Sequence, residues 1–204
     1  MKFISKKSLL VSLLAVVPFV ASAQLSSNIS LTSNYKFRGQ DQDISKSADF
    51  KPALQGGIDY AFANGFYVGN WNSSVNWLTG NSLEMDVYGG YKGELSPGLG
   101  YDVGVLTYAY PGASSANTTE VYGGLSYGPF SAKYSQTVSD QYFGGVKASY
   151  LSIGYAQELS KGLTLKAAAG MTNFKSGTDY SDYSLGLSYD LGEGYSLGGA
   201  YVGA

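Results

Sequence analysis

Cysteine and histidine are both absent from this 204-residue chain. Without imidazole or thiolate ligands the usual zinc and copper sites cannot be assembled, and a Ser-His-Asp or Cys-His nucleophile has no base. An exported chain of this composition has no disulfides to hold it together. Beyond its N-terminus it also lacks any apolar run of the ~18 residues that a transmembrane helix needs. Positive charge is scarce, with 13 Lys and Arg against 15 Asp and Glu, so a nucleic acid, held mainly through its phosphates, is not an expected partner. No cofactor is expected, and an enzyme is the last reading to consider.

The N-terminus, MKFISKKSLLVSLLAVVPFVASAQ, places Lys2, Lys6 and Lys7 before an apolar stretch from Leu9 to Val20 and then Ala21-Ser22-Ala23. A charged head, an apolar segment too short to span a bilayer and a small-residue cleavage site predict a signal peptide over 1–23. A buried N-terminal helix is the alternative. Cleavage before Gln24 removes three lysines and leaves ten basic residues against 15 acidic ones.

What is plentiful is glycine, 28 residues, and tyrosine, 19. From 24 to 204 the chain alternates polar and apolar residues with period two, which predicts strands near 25–37, 53–62, 66–77, 83–95, 99–110, 118–127, 130–138, 148–159, 163–173, 181–191 and 195–203. No segment has a helical period. Short connections such as Ser96-Pro97-Gly98 and Ser160-Lys161-Gly162 alternate with longer polar ones, as in a barrel with turns at one rim and loops at the other. LSPGL (95–99), LSKGL (159–163) and LGEGY (191–195) read as shared turn chemistry rather than a solenoid repeat, because their spacing is uneven.

In the stretch from Glu84 to Leu95 one set of alternate positions is apolar and the other carries the charges. A soluble secreted sandwich would bury the apolar set. Three features favour the opposite polarity. Aromatic residues expected at the membrane interfaces gather beside the short turns (Phe62, Tyr67, Tyr91, Tyr101, Tyr127, Phe130, Tyr155, Tyr189 and Tyr195), with Tyr35, Phe37 and Trp77 at the other rim. The polar set supplies an expected pore lining of Lys36, Arg38, Asp59, Glu84, Asp86, Tyr88, Lys92, Asp102, Glu120, Tyr122, Lys133, Lys166 and Asp182. The segments are also longer than ordinary globular strands. The expected fold is therefore all-β: an antiparallel transmembrane β-barrel over 24–204, with about 12 strands intended and 11 readable, in contact with outer-membrane lipid. Mid-strand glycines would let the sheet curl, with rings such as Tyr88 and Tyr122 covering neighbouring glycines.

Other motifs fail their context. RGQDQDISKSAD (38–49) carries Asp41, Asp43 and Asp49 but lacks the Gly and closing Glu of an EF-hand loop. GLSYG (124–128) spells a nucleophile elbow but sits on a strand, and no histidine exists to serve Ser126. Glu84 and Asp86 read as lumen wall rather than an acid/base pair. Tyr108, Tyr110 and Pro111 at a loop mouth suit either ligand stacking or interfacial anchoring.

YKFRG (35–39), ALQGGIDYAFANGFYVGNW (53–71), EMDVYGGYKGEL (84–95), VLTYAYPG (105–112) and TEVYGGLSYG (119–128) together resemble the TorF-like porin family of Gram-negative bacteria. The resemblance runs from about Leu25 to the C-terminus. It implies an outer-membrane β-barrel with a channel role and supplies no catalytic residues or substrate. Bacterial barrels have an even strand number, and their chains usually end on an aromatic residue. Here the sequence ends Gly203-Ala204 after an eleventh strand. Either a last C-terminal strand is lacking or one strand has been merged or split, and the former is the expectation. The expected function is passive diffusion of small polar solutes through a narrow mixed-charge lumen with weak cation preference. The alternative is a non-conducting outer-membrane barrel that binds a ligand or partner through its loops.

Overall fold

The computed structural model describes residues 23–44 and 50–204. The expected signal peptide lies outside them except for Ala23, as does Asp49. The long strands are β1 (Gln24–Thr32), β4 (Ala53–Ala61), β5 (Phe66–Ser74), β6 (Leu83–Ser96), β7 (Leu99–Ala109), β8 (Thr118–Tyr127), β9 (Phe130–Thr137), β10 (Ala148–Ser160), β11 (Leu163–Phe174), β12 (Tyr180–Gly192) and β13 (Tyr195–Gly203). They form one 11-stranded sheet in chain order, each antiparallel to the next. A separate small hairpin, β2 (Lys36–Phe37) with β3 (Gln40–Asp41), sits in the first long loop. Among the described residues the helical content is a single short turn at Ser114–Ala116.

Three short turns share one construction. The ladders slip between Glu94 and Ser96, between Glu158 and Ser160, and between Asp190 and Gly192, each just before a turn. The turns place Gly98, Gly162 and Gly194 at positive φ, and they fall on LSPGL, LSKGL and LGEGY. The repeats are thus bulged hairpins, a bulge adding local twist where the strands turn.

The sheet has the inverted polarity that the pattern predicts. Ile29 is 80% and Leu185 56% exposed on the outer face, whereas Glu84 is 2% and Glu120 1% exposed on the inner one. The sheet is curled, and the first loop lies in its concavity. Residues 35–39 reach Glu84 on β6, Glu120 on β8, the ring of Tyr150 on β10, and Asp182 and Gly203 on β12 and β13.

The expected closure is not found: among the described residues no ladder joins β13 to β1. An odd number of strands in antiparallel succession leaves the two edges running parallel, so neither can extend the antiparallel ladder of the other. The first expected strand is also shorter than predicted. It ends at Thr32 rather than Phe37, and the one predicted over 66–77 ends at Ser74.

Candidate functional site

The hairpin β2–β3 turns at Arg38 (φ 47°) and Gly39 (φ 79°), the paired left-handed conformation of a tight hairpin. Gly39 is required twice over. Besides its φ, an added Cβ would lie 2.6 Å from the Cβ of Ala204 and 2.9 Å from that of Asp182. The hairpin is fastened at its base by Lys36, whose Nζ lies 2.5 Å from Asp41 Oδ1, with Lys51 Nζ 3.4 Å from Oδ2. At its tip the Arg38 guanidinium donates to both carboxylate oxygens of Glu120, at 3.0 and 2.7 Å, and to the Tyr142 hydroxyl at 3.1 Å. Its plane also packs 4.2 Å from the centre of the Tyr150 ring and 4.8 Å from that of Phe37. Such bidentate, ring-stacked placement suits arginine and not lysine.

Around this pair lies an aromatic cluster. Phe143 meets Phe37, Trp77, Tyr108 and Tyr110 in edge-on contacts with ring centres 5.0 to 6.1 Å apart. The Tyr35 and Tyr110 hydroxyls donate to the two oxygens of Glu84, at 2.8 and 2.6 Å. Burial, then the nearby carboxylate, pushes both phenols above their ordinary range and keeps them as donors.

Further along the inner face tyrosines and carboxylates pair again. Tyr88 donates to Asp59 at 2.5 Å, Tyr67 to Asp102 at 2.6 Å and Tyr150 to Asp182 at 3.1 Å. The Tyr67 and Tyr122 hydroxyls touch, and Lys133 sits 3.7 Å above the Tyr122 ring.

A family model described as a bacterial protein of unknown function (Gcw_chp) matches residues 20–204. The chain belongs to that family. No curated protein and no solved structure matches it.

In this Gcw_chp chain, Asp59, Glu84, Asp86, Tyr88, Lys92, Asp102, Glu120, Tyr122, Lys133, Lys166 and Asp182 alternate onto the inner face of their strands. Lys166 stands apart from the rest, in an open groove with Thr164, Ser184 and Asp190 near the turns of β11–β13. Lys36 and Arg38 belong to the inserted hairpin rather than to the sheet wall.

Of the expected interface aromatics, Phe62, Tyr91, Tyr101, Tyr127, Phe130, Tyr155, Tyr189 and Tyr195 fall on outward positions at the turn end. Four do not. Tyr67 follows the exposed Phe66 and therefore points inward, to Asp102. Tyr35 and Phe37 lie past the end of β1, where the loop doubles back and carries both rings inside. Trp77 lies past β5 and packs on Tyr110. Tyr108 and Tyr110 are likewise buried in the cluster, so neither is an open stacking platform or an interfacial anchor.

The sequence reading did not single out Tyr142, Phe143 or Tyr150. Tyr150 was accessible to it, since it alternates in phase with Ser152 on β10. Tyr142 and Phe143 sit in a long connection that carries no period.

The fastening of the hairpin has a pH dependence. Burial alone would raise the Asp41 carboxyl, but the hydrogen bond and charge of Lys36, then Lys51, hold it below its ordinary value of 3.8. A depressed folded value stabilises the hairpin above that ordinary value, and the contribution is lost as pH falls through the depressed one. Hydrogen exchange of the Gln42 amide, which donates to Tyr35 O, is therefore expected to lose protection in acid below the ordinary carboxylate value. In Asp41→Asn that acid step should be missing; a step of unchanged size would refute the assignment.

Proposed function

We propose that this chain is an outer-membrane β-barrel that passes small polar solutes, with the first loop as the constriction of its lumen. The observation carrying this reading is the inverted polarity. A continuous exposed apolar surface suits acyl chains, and the charged, tyrosine-rich inner face suits a wet passage. The resemblance to the TorF-like porins points the same way. In hydrocarbon every backbone group must be paired, so this reading requires the edge groups of β1 and β13 to find partners in the membrane. Carboxylates outnumber cations on the inner wall, which favours cations weakly.

The outer face supplies the test of membrane residence. Leu185→Arg is expected to destabilise the protein folded into lipid vesicles by about 2–4 kcal/mol. The same change at a side chain that faces water would fall within about 0.5 kcal/mol. Urea titrations followed by gel migration of unheated samples measure the difference, and an effect near zero would mean that this face meets water and not lipid.

The passage itself is tested by single-channel recording in planar bilayers. Small, weakly cation-selective steps are expected. The burial of Arg38 and its ring cluster across the concavity favours one other reading, a barrel that does not conduct and acts through its loops. Silence from the native protein, together with silence when residues 38–52 are deleted, would establish that second reading.

A further inference from the structure

The buried layer under the first loop holds three carboxylates, Glu84, Asp86 and Glu120, and one guanidinium, Arg38. Two of the three are satisfied. Glu120 has its bidentate arginine, and Glu84 accepts from the Tyr35 and Tyr110 hydroxyls. Asp86 is different. It is 8% exposed, its Oδ1 is buried without a hydrogen-bond partner, and among the described residues no ion pair joins it to a cation. Glu84 and Glu120 lie within electrostatic reach of it and add to the local negative potential.

A carboxylate in such a place is expensive unless it takes up a proton or a cation joins it, and its neighbours indicate which cation would fit. Trp71 on β5 and Tyr108 on β7 lie directly across from Asp86 in the two flanking ladders. Directly opposed residues have Cβ atoms ~5 Å apart on the same face of a sheet, so a carboxylate stands between two aromatic side chains. Tyr35, which already contacts the Trp71 ring edge-on, extends that wall. Aromatic faces attract cations, most strongly when water is excluded. Among the described residues no three acidic side chains converge as metal ligands would. The arrangement offers one unpartnered carboxyl oxygen and π walls, which is the recognition chemistry of an ammonium group rather than of a chelated metal.

We propose that the Asp86 side chain, bracketed by Trp71 and Tyr108, binds a small organic cation bearing an ammonium group. The site names a solute class for the passage proposed above and rests on that reading only for how the cation arrives. Its chemistry is independent of conduction, so binding and conductance can fail separately.

The chain's two tryptophans, Trp71 and Trp77, both lie in this region and report on it. The full chain, folded in detergent micelles, is titrated with methylammonium chloride at constant ionic strength while tryptophan emission is recorded, with potassium and calcium chlorides as parallel titrants. A saturable change with methylammonium, absent or at least ~10-fold weaker with potassium and calcium, is expected, and Asp86→Asn should weaken it by ~10-fold or more. No saturable change, an equal response to potassium, or an undiminished response in a folded Asp86→Asn protein would each overturn the proposal. If Asp86→Asn does not fold, the cation series on the native protein still decides it, since selectivity for the ammonium compound is required. Native protein that binds methylammonium yet never conducts would leave the site standing and remove the passage.

Discussion

Arg38→Ala is expected to lower the stability of the folded protein by about 3–5 kcal/mol, the range found when one partner of a buried ion pair is removed. Two features place the effect at this end. The Arg38 and Glu120 side chains are 7% and 1% exposed, and both carboxylate oxygens are engaged. Among the described residues, truncation therefore leaves Glu120 buried with only the Tyr108 hydroxyl, at 3.3 Å, still donating to it. It also removes the cation packed over Phe37, Tyr142 and Tyr150. The damage should be local first. Since Arg38 is the tip by which the hairpin reaches β8, the first loop should become cleavable by added protease under conditions where the sheet stays intact.

Glu120→Gln should be milder than Glu120→Ala, because the amide keeps one acceptor for the guanidinium. A paired replacement, Arg38→Met with Glu120→Leu, should recover most of the loss by exchanging an expensive desolvated pair for apolar contact with the surrounding rings. An Arg38→Ala protein within about 0.5 kcal/mol of the native one, an effect typical of surface positions, would mean that the pair is dispensable and that the loop is held by its aromatic cluster alone. In a conducting protein the same variant should pass larger currents, since the constriction would no longer be anchored.

The reach of the sequence follows from what a two-residue period encodes. Within a strand it assigns each side chain to a face, and the assignment survives folding because the pleat fixes it. Hence Val87 and Leu185 emerge outside, and Glu84, Asp102 and Glu120 inside. The three turns were readable instead from the glycines of LSPGL and its relatives, whereas the bulges before them were not. The period carries no information past a strand end. Tyr35 and Phe37 keep the alternation of β1 on paper, yet the backbone has already left the ladder at Thr32.

Nor can a local pattern register a pair such as Arg38 and Glu120, separated by 82 residues. What joins them is the insertion of a loop into the concavity, and that depends on the shape of a surface that exists only once the sheet has curled. Tyr67 is a different failure. Its inward phase follows from Phe66 beside it, and the attraction of an aromatic residue near a turn overrode the alternation.

The curl itself has a local cause that a substitution can expose. In the row Asp59–Gly69–Tyr88 each residue lies directly across from the next on β4, β5 and β6. The Tyr88 phenol crosses over Gly69 and donates to Asp59 Oδ1 at 2.5 Å. A Cβ at Gly69 would lie 2.5 Å from that same oxygen and 2.6 Å from Tyr88 Cζ, with no backbone atom among its nearest obstacles. Gly69→Ala is therefore expected to cost about 1–3 kcal/mol by overpacking, and Gly69→Val more. In a Tyr88→Ala background the methyl group has room once the ring is gone and Asp59, no longer tethered, can rotate away. There the substitution should be neutral or favourable by about 0.5–1 kcal/mol, the ordinary preference of a strand for alanine over glycine. The coupling between the two sites, read from urea titrations of the four proteins in one double-mutant cycle, should thus exceed about 1 kcal/mol. Equal penalties in both backgrounds would show that the ring does not exclude the methyl group, and that Gly69 is kept for the bending of β5 alone. Tyr67 over Gly90 and Tyr122 over Gly104 repeat the arrangement with a second obstacle, since an added Cβ there would lie 2.5 Å from the covering hydroxyl and 2.5 or 2.6 Å from a backbone oxygen, that of Val103 or Gly89. A ring laid across a glycine restores the apolar contact the glycine lacks and lets neighbouring backbones bend toward the lumen.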